Sequence, residues 1–215
     1  MEIFIPGPEG QLEGLFHEPW GLGPGEEPRA VAVVCHPHPA HGGNMNSTVT
    51  FRIARGLQRC GIACLRFNFR GVGQSEGEHD GEGAEEGDAR AALDWLTERF
   101  PQAPIWAAGF SFGSRTVFGL AQHDRSIERL LLIGFPARVY PLGGVDELRI
   151  PAYFLWGDQD DFGTLRDLRE QYPALPQSFE YEEVPGADHF FRPRTLVVEE
   201  LVRAHAERVL GLDPA

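Results

Sequence analysis

The stretch IWAAGFSFG, residues 105–113, decides the fold class of this chain. Its apolar first half is typical of a strand, and a stretch compatible with a helix follows it. Between the two lies Gly-x-Ser-x-Gly, in which Gly109 and Gly113 leave room for a sharp strand-to-helix turn. Such a turn holds a hydroxyl clear of the backbone, so Ser111 is the candidate nucleophile.

A second Gly-x-Ser-x-Gly lies at residues 73–77, with Ser75 at its centre. The apolar residues before it lead into a glycine-rich, acidic run at 74–86, in which no helix begins. This context predicts a solvated loop rather than a strand-to-helix turn. The surroundings therefore favour Ser111 as the nucleophile, and Ser75 is the alternative.

Hydrophobic patterning along the rest of the chain predicts strands that alternate with helices after an opening hairpin. The predicted strands are 3–5, 12–17, 30–35, 62–69, 105–108, 130–135, 152–156 and 179–184. The predicted helices are 49–59, 89–100, 112–122, 164–172 and 194–210. This order indicates an α/β fold, a doubly wound and mostly parallel sheet with an antiparallel N-terminal hairpin. The connections leave no room for a lid domain, and only 136–150 is long enough to hang over a site.

The length and composition of the chain exclude several classes of function. We expect one domain over 1–215, because 215 residues are most simply one domain with a substantial core. The 42% apolar and 24% charged residues are ordinary for a globular protein. The net charge of −13 argues against nucleic acid or an anionic membrane as partner. All 19 basic residues are arginines, which excludes Schiff-base lysine chemistry, pyridoxal phosphate enzymology and P-loop phosphate binding.

The start of the chain and its cysteines predict a cytoplasmic protein. Residues 1–6 lack the basic start and apolar run of a signal peptide, and no stretch reaches transmembrane length. Cys35, Cys60 and Cys64 give no disulfide framework and no complete zinc site.

A serine nucleophile needs a histidine base, which in this sheet type follows the acid late in the chain. Three histidines follow Ser111. His123 lies about three helical turns away, and His205 lies inside the closing helix. His189 follows the last predicted strand in a loop, so we predict that it is the base.

The acid is predicted at the end of strand 152–156, in the sequence GDQDD. An orienting carboxylate usually lies a few residues beyond the strand end, which favours Asp160. Asp161 and Asp158 are the alternatives, and the three together could instead form a solvated turn or a helix cap.

An oxyanion needs two fixed N–H donors. One is predicted to be the backbone N–H of Phe112, at the start of the helix. The other is expected from the loop 36–43, in which two prolines cannot donate. We predict the backbone N–H of His38, with Gly42 and Gly43 as alternatives.

Taken together, these features resemble the α/β-hydrolase superfamily over essentially the whole chain. The resemblance is to small, lidless bacterial hydrolases related to dienelactone hydrolase. It is carried by HPHP at 36–39, Gly42-Gly43, RFNFRGVGQSEG at 66–77, GFSFG at 109–113 and GADHFF at 186–191.

The resemblance implies that Ser111, Asp160 and His189 form a triad, and that Ser75 belongs to a structural loop. Dienelactone hydrolase itself has a cysteine nucleophile where this chain has Ser111, so its substrate does not transfer. We expect a serine hydrolase without a cofactor, which acts through an acyl-enzyme on small carboxylic esters or thioesters. Phenylalanines at 110, 112, 162, 190 and 191 are candidates for an apolar wall near the site.

Two other functions are kept as alternatives. The first is a zinc-dependent hydrolase, because the spacing of His36, His38 and His41 is similar to the histidine motif of metallo-β-lactamase-type enzymes. Position 40 is Ala, where that motif has an acidic ligand. The second alternative is an inactive binding or scaffold protein with the same fold.

Overall fold

The computed structural model describes residues 1–23, 25–79, 83–141, 143–145 and 148–213. These residues form one eight-stranded sheet with helices on both faces. The strands are β1 (Glu2–Gly7), β2 (Gly10–His17), β3 (Ala30–Cys35), β4 (Ile62–Phe67), β5 (Ile105–Phe110), β6 (Ile127–Ile133), β7 (Ala152–Gly157) and β8 (Phe179–Val184). The helices are α1 (Thr48–Gln58), α2 (Glu85–Arg99), α3 (Phe112–His123), α4 (Leu165–Gln171) and α5 (Leu196–Leu210).

The sheet has the strand order β1-β2-β4-β3-β5-β6-β7-β8. Strand β2 pairs antiparallel with β1 and with β4, whereas all the other neighbours are parallel. The predicted α/β class, the mostly parallel sheet and the antiparallel N-terminal hairpin are therefore confirmed. The described part of the chain adds no lid domain to this sheet and its helices.

Two apolar layers hold the sheet between its helices. Every residue of β3 is buried, and alternate side chains of this strand point to opposite faces. Val31 and Val33 join the core on the side of α2 and α3. Ala32 and Val34 join the core on the side of α1 and α5. The carboxyl ends of the parallel strands, and the loops that follow them, lie at the same edge of the sheet.

Helix α2 begins four residues before the predicted start, inside the run that was expected to be a loop. Its first turn carries Glu85, Glu86 and Asp88, and carboxylates stabilise the positive end of the helix dipole. Asp88 is buried, and its carboxylate accepts hydrogen bonds from the backbone and side chain of Arg70. The acidic run at 74–86 was predicted to be a solvated loop, but its last two residues, Glu85 and Glu86, are the first residues of α2.

Among the helices that the structure describes, none combines the length and the apolar character needed to cross a bilayer.

Candidate active site

The turn between β5 and α3 holds Ser111 in a left-handed backbone conformation, with φ of 54°. A Cβ at Gly109 would lie 2.2 Å from the carbonyl oxygen of Gly113, and one at Gly113 would lie 2.4 Å from that of Cys35. The backbone N–H of Ser111 donates to the carbonyl of Ile133 at 2.9 Å. Positions 109 and 113 therefore require glycine in this turn. The turn strains the backbone at Ser111 and places its hydroxyl at the edge of the sheet.

Three predicted residues form one hydrogen-bonded chain at this edge. Nε2 of His189 lies 2.9 Å from Oγ of Ser111, and Nδ1 of His189 lies 2.8 Å from Oδ2 of Asp160. A carboxylate only accepts, so Nδ1 carries the proton of a neutral imidazole and Nε2 offers a lone pair to the hydroxyl. The arrangement can take a proton from Ser111 and stabilise the imidazolium that results.

Of the three clustered carboxylates, only Asp160 reaches His189. Asp160 is 2% exposed, and its second oxygen accepts the backbone N–H of Phe162 at 2.8 Å. Asp158 is exposed, and its Oδ1 instead accepts the backbone N–H of Gly186 at 2.6 Å. Asp161 is exposed as well.

The loop that carries His189 is tied to the loop that carries Asp160. Besides the bond from Gly186 to Asp158, the backbone N–H of Gln159 donates to the carbonyl of Ala187 at 3.0 Å. These bonds fix two loops that follow neighbouring parallel strands, β7 and β8. The distance between the acid and the imidazole is therefore set by backbone as well as by side chains.

Two backbone N–H groups beside Ser111 are available to an oxyanion. Those of His38 and Phe112 have no acceptor among the described residues, and both residues line the same cavity as Ser111. The alternatives are used within a tight turn, because Gly42 donates to the carbonyl of Pro39 and Gly43 to that of His38. The geometry thus favours the predicted pair over the two glycines.

The side chain of His36 holds the loop 36–43 against the segment that follows β4. Its Nδ1 lies 2.6 Å from the carbonyl oxygen of Pro37, and its Nε2 lies 3.1 Å from the backbone nitrogen of Phe69. The N–H of Phe69 donates to Nε2, so Nδ1 carries the imidazole proton and donates to Pro37. Both nitrogens are engaged, which leaves His36 no lone pair for zinc in the alternative with His38 and His41. The described residues contain no group of three histidine, cysteine, aspartate or glutamate side chains placed to hold a metal.

Two buried histidines and one partly buried histidine predict a loss of stability in mild acid. Burial lowers the pKa of His17, His36 and His205 to about 4, from an ordinary value of 6.5. Below pH 6.5 the unfolded chain binds protons that the folded chain does not, so stability is lost as the pH falls towards 4. We expect His36 alone to lower the free energy of unfolding by about 2 kcal/mol at pH 5.

Urea unfolding at pH 7.5, 6.0 and 5.0 measures this loss. Readings above pH 4.5 keep most carboxylates ionised, so the histidines dominate the slope. An equal free energy of unfolding at all three pH values would contradict the lowered pKa values of these histidines.

The local sequence of Ser75 predicts a solvated loop, and this prediction is wrong for the side chain. Its side chain is buried; Oγ donates to the carbonyl of Asn68 at 2.7 Å and accepts the backbone N–H of Glu13 at 2.9 Å. These bonds join the loop after β4 to strand β2. This geometry agrees with the structural role that the resemblance implies for Ser75.

Ser75→Ala is expected to lower stability by about 1–2 kcal/mol, because it removes the hydroxyl and leaves the N–H of Glu13 without its partner. We expect ester turnover per folded molecule to stay within twofold of the wild type. Thermal unfolding and an esterase assay on the same sample measure the two effects. A large loss of turnover at full stability would return Ser75 to the list of nucleophiles.

A cavity of about 560 Å³ opens over Ser111. Its walls are mostly apolar, and four of the five predicted phenylalanines line it: Phe110, Phe112, Phe162 and Phe190. Phe191 does not line it, because this side chain is fully buried in the core under α5. Further wall residues come from the connection after β6, which the sequence analysis singled out by its length: Pro136, Val139 and Tyr140.

Known proteins share this fold and about a third of this sequence. A family described as the alpha/beta hydrolase fold matches residues 40–143. An uncharacterized protein of Rickettsia prowazekii is 35% identical over 204 residues, which cover 90% of this chain and 83% of the relative.

Two solved structures are similar over nearly their whole length. An alpha-beta serine hydrolase homologue from Coxiella burnetii is 32% identical with a TM-score of 0.87, and the match covers 95% of this chain and 96% of that one. A Xanthomonas campestris protein, described as a member of the α/β serine hydrolases without a lid, is 28% identical with a TM-score of 0.87. That match covers 100% of this chain and 96% of the other. The chain belongs to the α/β-hydrolase family and is similar to its small, lidless members.

Proposed function

We propose that this protein is a serine hydrolase that cleaves small carboxylic esters or thioesters through an acyl-enzyme. One observation carries the proposal: the chain of hydrogen bonds from Asp160 through His189 to Ser111 ends at the floor of an apolar cavity. A buried carboxylate, an imidazole and a hydroxyl in this order are the parts that acyl transfer needs.

In the proposed first step, Oγ of Ser111 attacks the substrate carbonyl carbon while Nε2 of His189 accepts the hydroxyl proton. The carbonyl electrons move to its oxygen, and the backbone N–H groups of His38 and Phe112 stabilise this oxyanion. The positive end of α3, at Phe112, adds to that stabilisation. The buried Asp160 carboxylate stabilises the imidazolium of His189.

The tetrahedral intermediate then expels the alcohol or thiol, which takes the proton from His189. This step leaves an acyl group on Ser111. Water next attacks the acyl carbon and gives its proton to His189, and the second intermediate releases the carboxylic acid as the proton returns to Oγ. One imidazole therefore serves as base and acid in both halves of the reaction.

The cavity supports a small substrate. Its volume of about 560 Å³ lies within the range of pockets for small molecules. A long acyl chain would extend past the walls into water, since the described residues add no lid domain above them.

A panel of p-nitrophenyl esters of graded acyl length tests the proposal. We expect saturable hydrolysis with the highest kcat/KM for acyl chains of two to about six carbons, unchanged by a metal chelator. Loss of activity with the chelator would favour the zinc alternative. No hydrolysis of any ester would favour the scaffold alternative.

A further inference from the structure

We propose that Phe162 and Phe190 form a platform for an aromatic ring in the leaving alcohol or thiol. The preferred substrates are then arylalkyl esters or thioesters. This inference rests on the proposed function, since a platform for the leaving group has meaning only for an acyl-transfer enzyme.

The two rings lie against the imidazole that handles the proton. The ring centroid of Phe162 is 4.6 Å from that of His189, and the ring centroid of Phe190 is 5.2 Å away. Phe110 also packs on this imidazole, at 5.0 Å, but is only 1% exposed. Phe110 therefore lines the cavity from within the core, whereas the other two rings are cavity-lining side chains that are also exposed to solvent.

Both platform rings leave much of their surface to solvent. Phe162 is 42% exposed and Phe190 is 45% exposed, although both are large apolar side chains. Exposed apolar rings that both pack against a reactive group are typical of a binding surface. A substrate that covered them would remove apolar area from water and be held next to His189.

The chemistry of the leaving group assigns the part of the substrate that lies on these rings. The atom that departs must come within hydrogen-bond distance of Nε2 of His189, because it takes its proton there. The first carbons of the alcohol therefore start beside the imidazole. A ring two carbons from the departing atom reaches Phe162 or Phe190, whose centroids lie about 5 Å from the imidazole centre.

The backbone holds both platform residues in place before any substrate binds. The N–H of Phe162 donates to Asp160, and the N–H of Phe190 donates to Oδ1 of Asp188 at 3.0 Å. Arg192, which pairs with Asp188 at 2.9 Å, places its guanidinium 5.0 Å from the ring centroid of Phe190. Because the backbone is held at both residues, an aromatic partner binds with a smaller ordering cost, and aromatic rings favour stacked or edge-to-face contacts.

A comparison of two acetates separates aromatic recognition from simple apolar burial. The esters are those of 2-phenylethanol and 2-cyclohexylethanol, which share the same acyl group and leave with similar ease. The cyclohexyl ring is bulkier and more apolar, so burial alone favours it or gives equal rates. We expect a kcat/KM ratio of about fivefold in favour of the phenyl ester.

Variants locate the source of that ratio. Phe162→Leu and Phe190→Leu keep an apolar side chain but remove the ring, and each is expected to lower the ratio towards one. Phe4→Leu is the matched control, because this exposed phenylalanine lies on β1 and does not line the cavity. Its ratio should equal that of the wild type.

Several results would overturn the inference. A wild-type ratio of one or below does so, as does an equal loss for both esters in the leucine variants, which would show that the rings only position His189. Hydrolysis of p-nitrophenyl acetate but of neither alkyl acetate overturns the inference and leaves the proposed function standing. No hydrolysis of any of the three esters overturns both.

Discussion

Ser111→Ala is expected to lower kcat/KM for p-nitrophenyl acetate by about 10⁴-fold or more, while the folded structure survives. The variant removes the hydroxyl that we propose as the nucleophile, and it leaves the proposed base and oxyanion donors in place. The hydroxyl bonds to His189, so its loss leaves the backbone bond to Ile133 intact. Steady-state kinetics and thermal unfolding on the same preparation measure both effects.

Ser111→Gly provides a second readout at the same position. Glycine adopts a φ of 54° without a Cβ clash, so this variant is expected to gain about 1 kcal/mol of stability as it loses activity. A gain in stability with a loss of function is typical of strain stored at an active site. An alanine variant that kept a tenth of the turnover would refute the role of Ser111.

Asp160→Asn is expected to lower kcat by about 10³–10⁴-fold. Asn can still accept the N–H of Phe162 with its oxygen, which turns its NH₂ group towards Nδ1 of His189. The imidazole then carries its proton on Nε2 and can no longer accept one from Ser111. Steady-state kinetics across a pH range measure this loss.

The neighbouring acids are matched controls for that variant. Asp161→Asn changes an exposed carboxylate in the same turn and is expected to keep wild-type kinetics. Asp158→Asn replaces the carboxylate that accepts the N–H of Gly186 with a neutral amide oxygen, which is a weaker acceptor. We expect it to cost stability and at most tenfold in turnover. A loss in the Asp161 variant as large as in the Asp160 variant would contradict the proposed acid.

Local sequence predicted the main features of the fold and the position of each proposed catalytic side chain. Apolar runs predicted the parallel strands, and the two glycines around Ser111 predicted the turn between β5 and α3. Parallel strands open at one edge, so residues that follow separate strands converge there. The hydrogen bonds of His189 with Ser111 and Asp160 agree with that expectation, and their catalytic roles stay a prediction.

Contacts between distant segments could not be predicted in the same way. Ser75 was expected in solvent because its neighbours are glycine and acidic residues, but its partner Glu13 lies 62 residues away in the chain. The choice between His38 and the glycines of its loop depends on a short turn that uses the glycine N–H groups. Phe191 and its neighbour Phe190 look alike in the sequence, yet one is in the core and the other faces the cavity.

The nucleophile can be tested most directly by locating a covalent adduct. Intact protein treated with a fluorophosphonate should gain one phosphonyl group. After cleavage at arginines, fragmentation of the peptide 100–115 should place the group on Ser111 rather than on Ser114. Peptide 71–90, which holds Ser75, should carry none. No adduct on the wild type, or an adduct that persists in Ser111→Ala, would contradict the account.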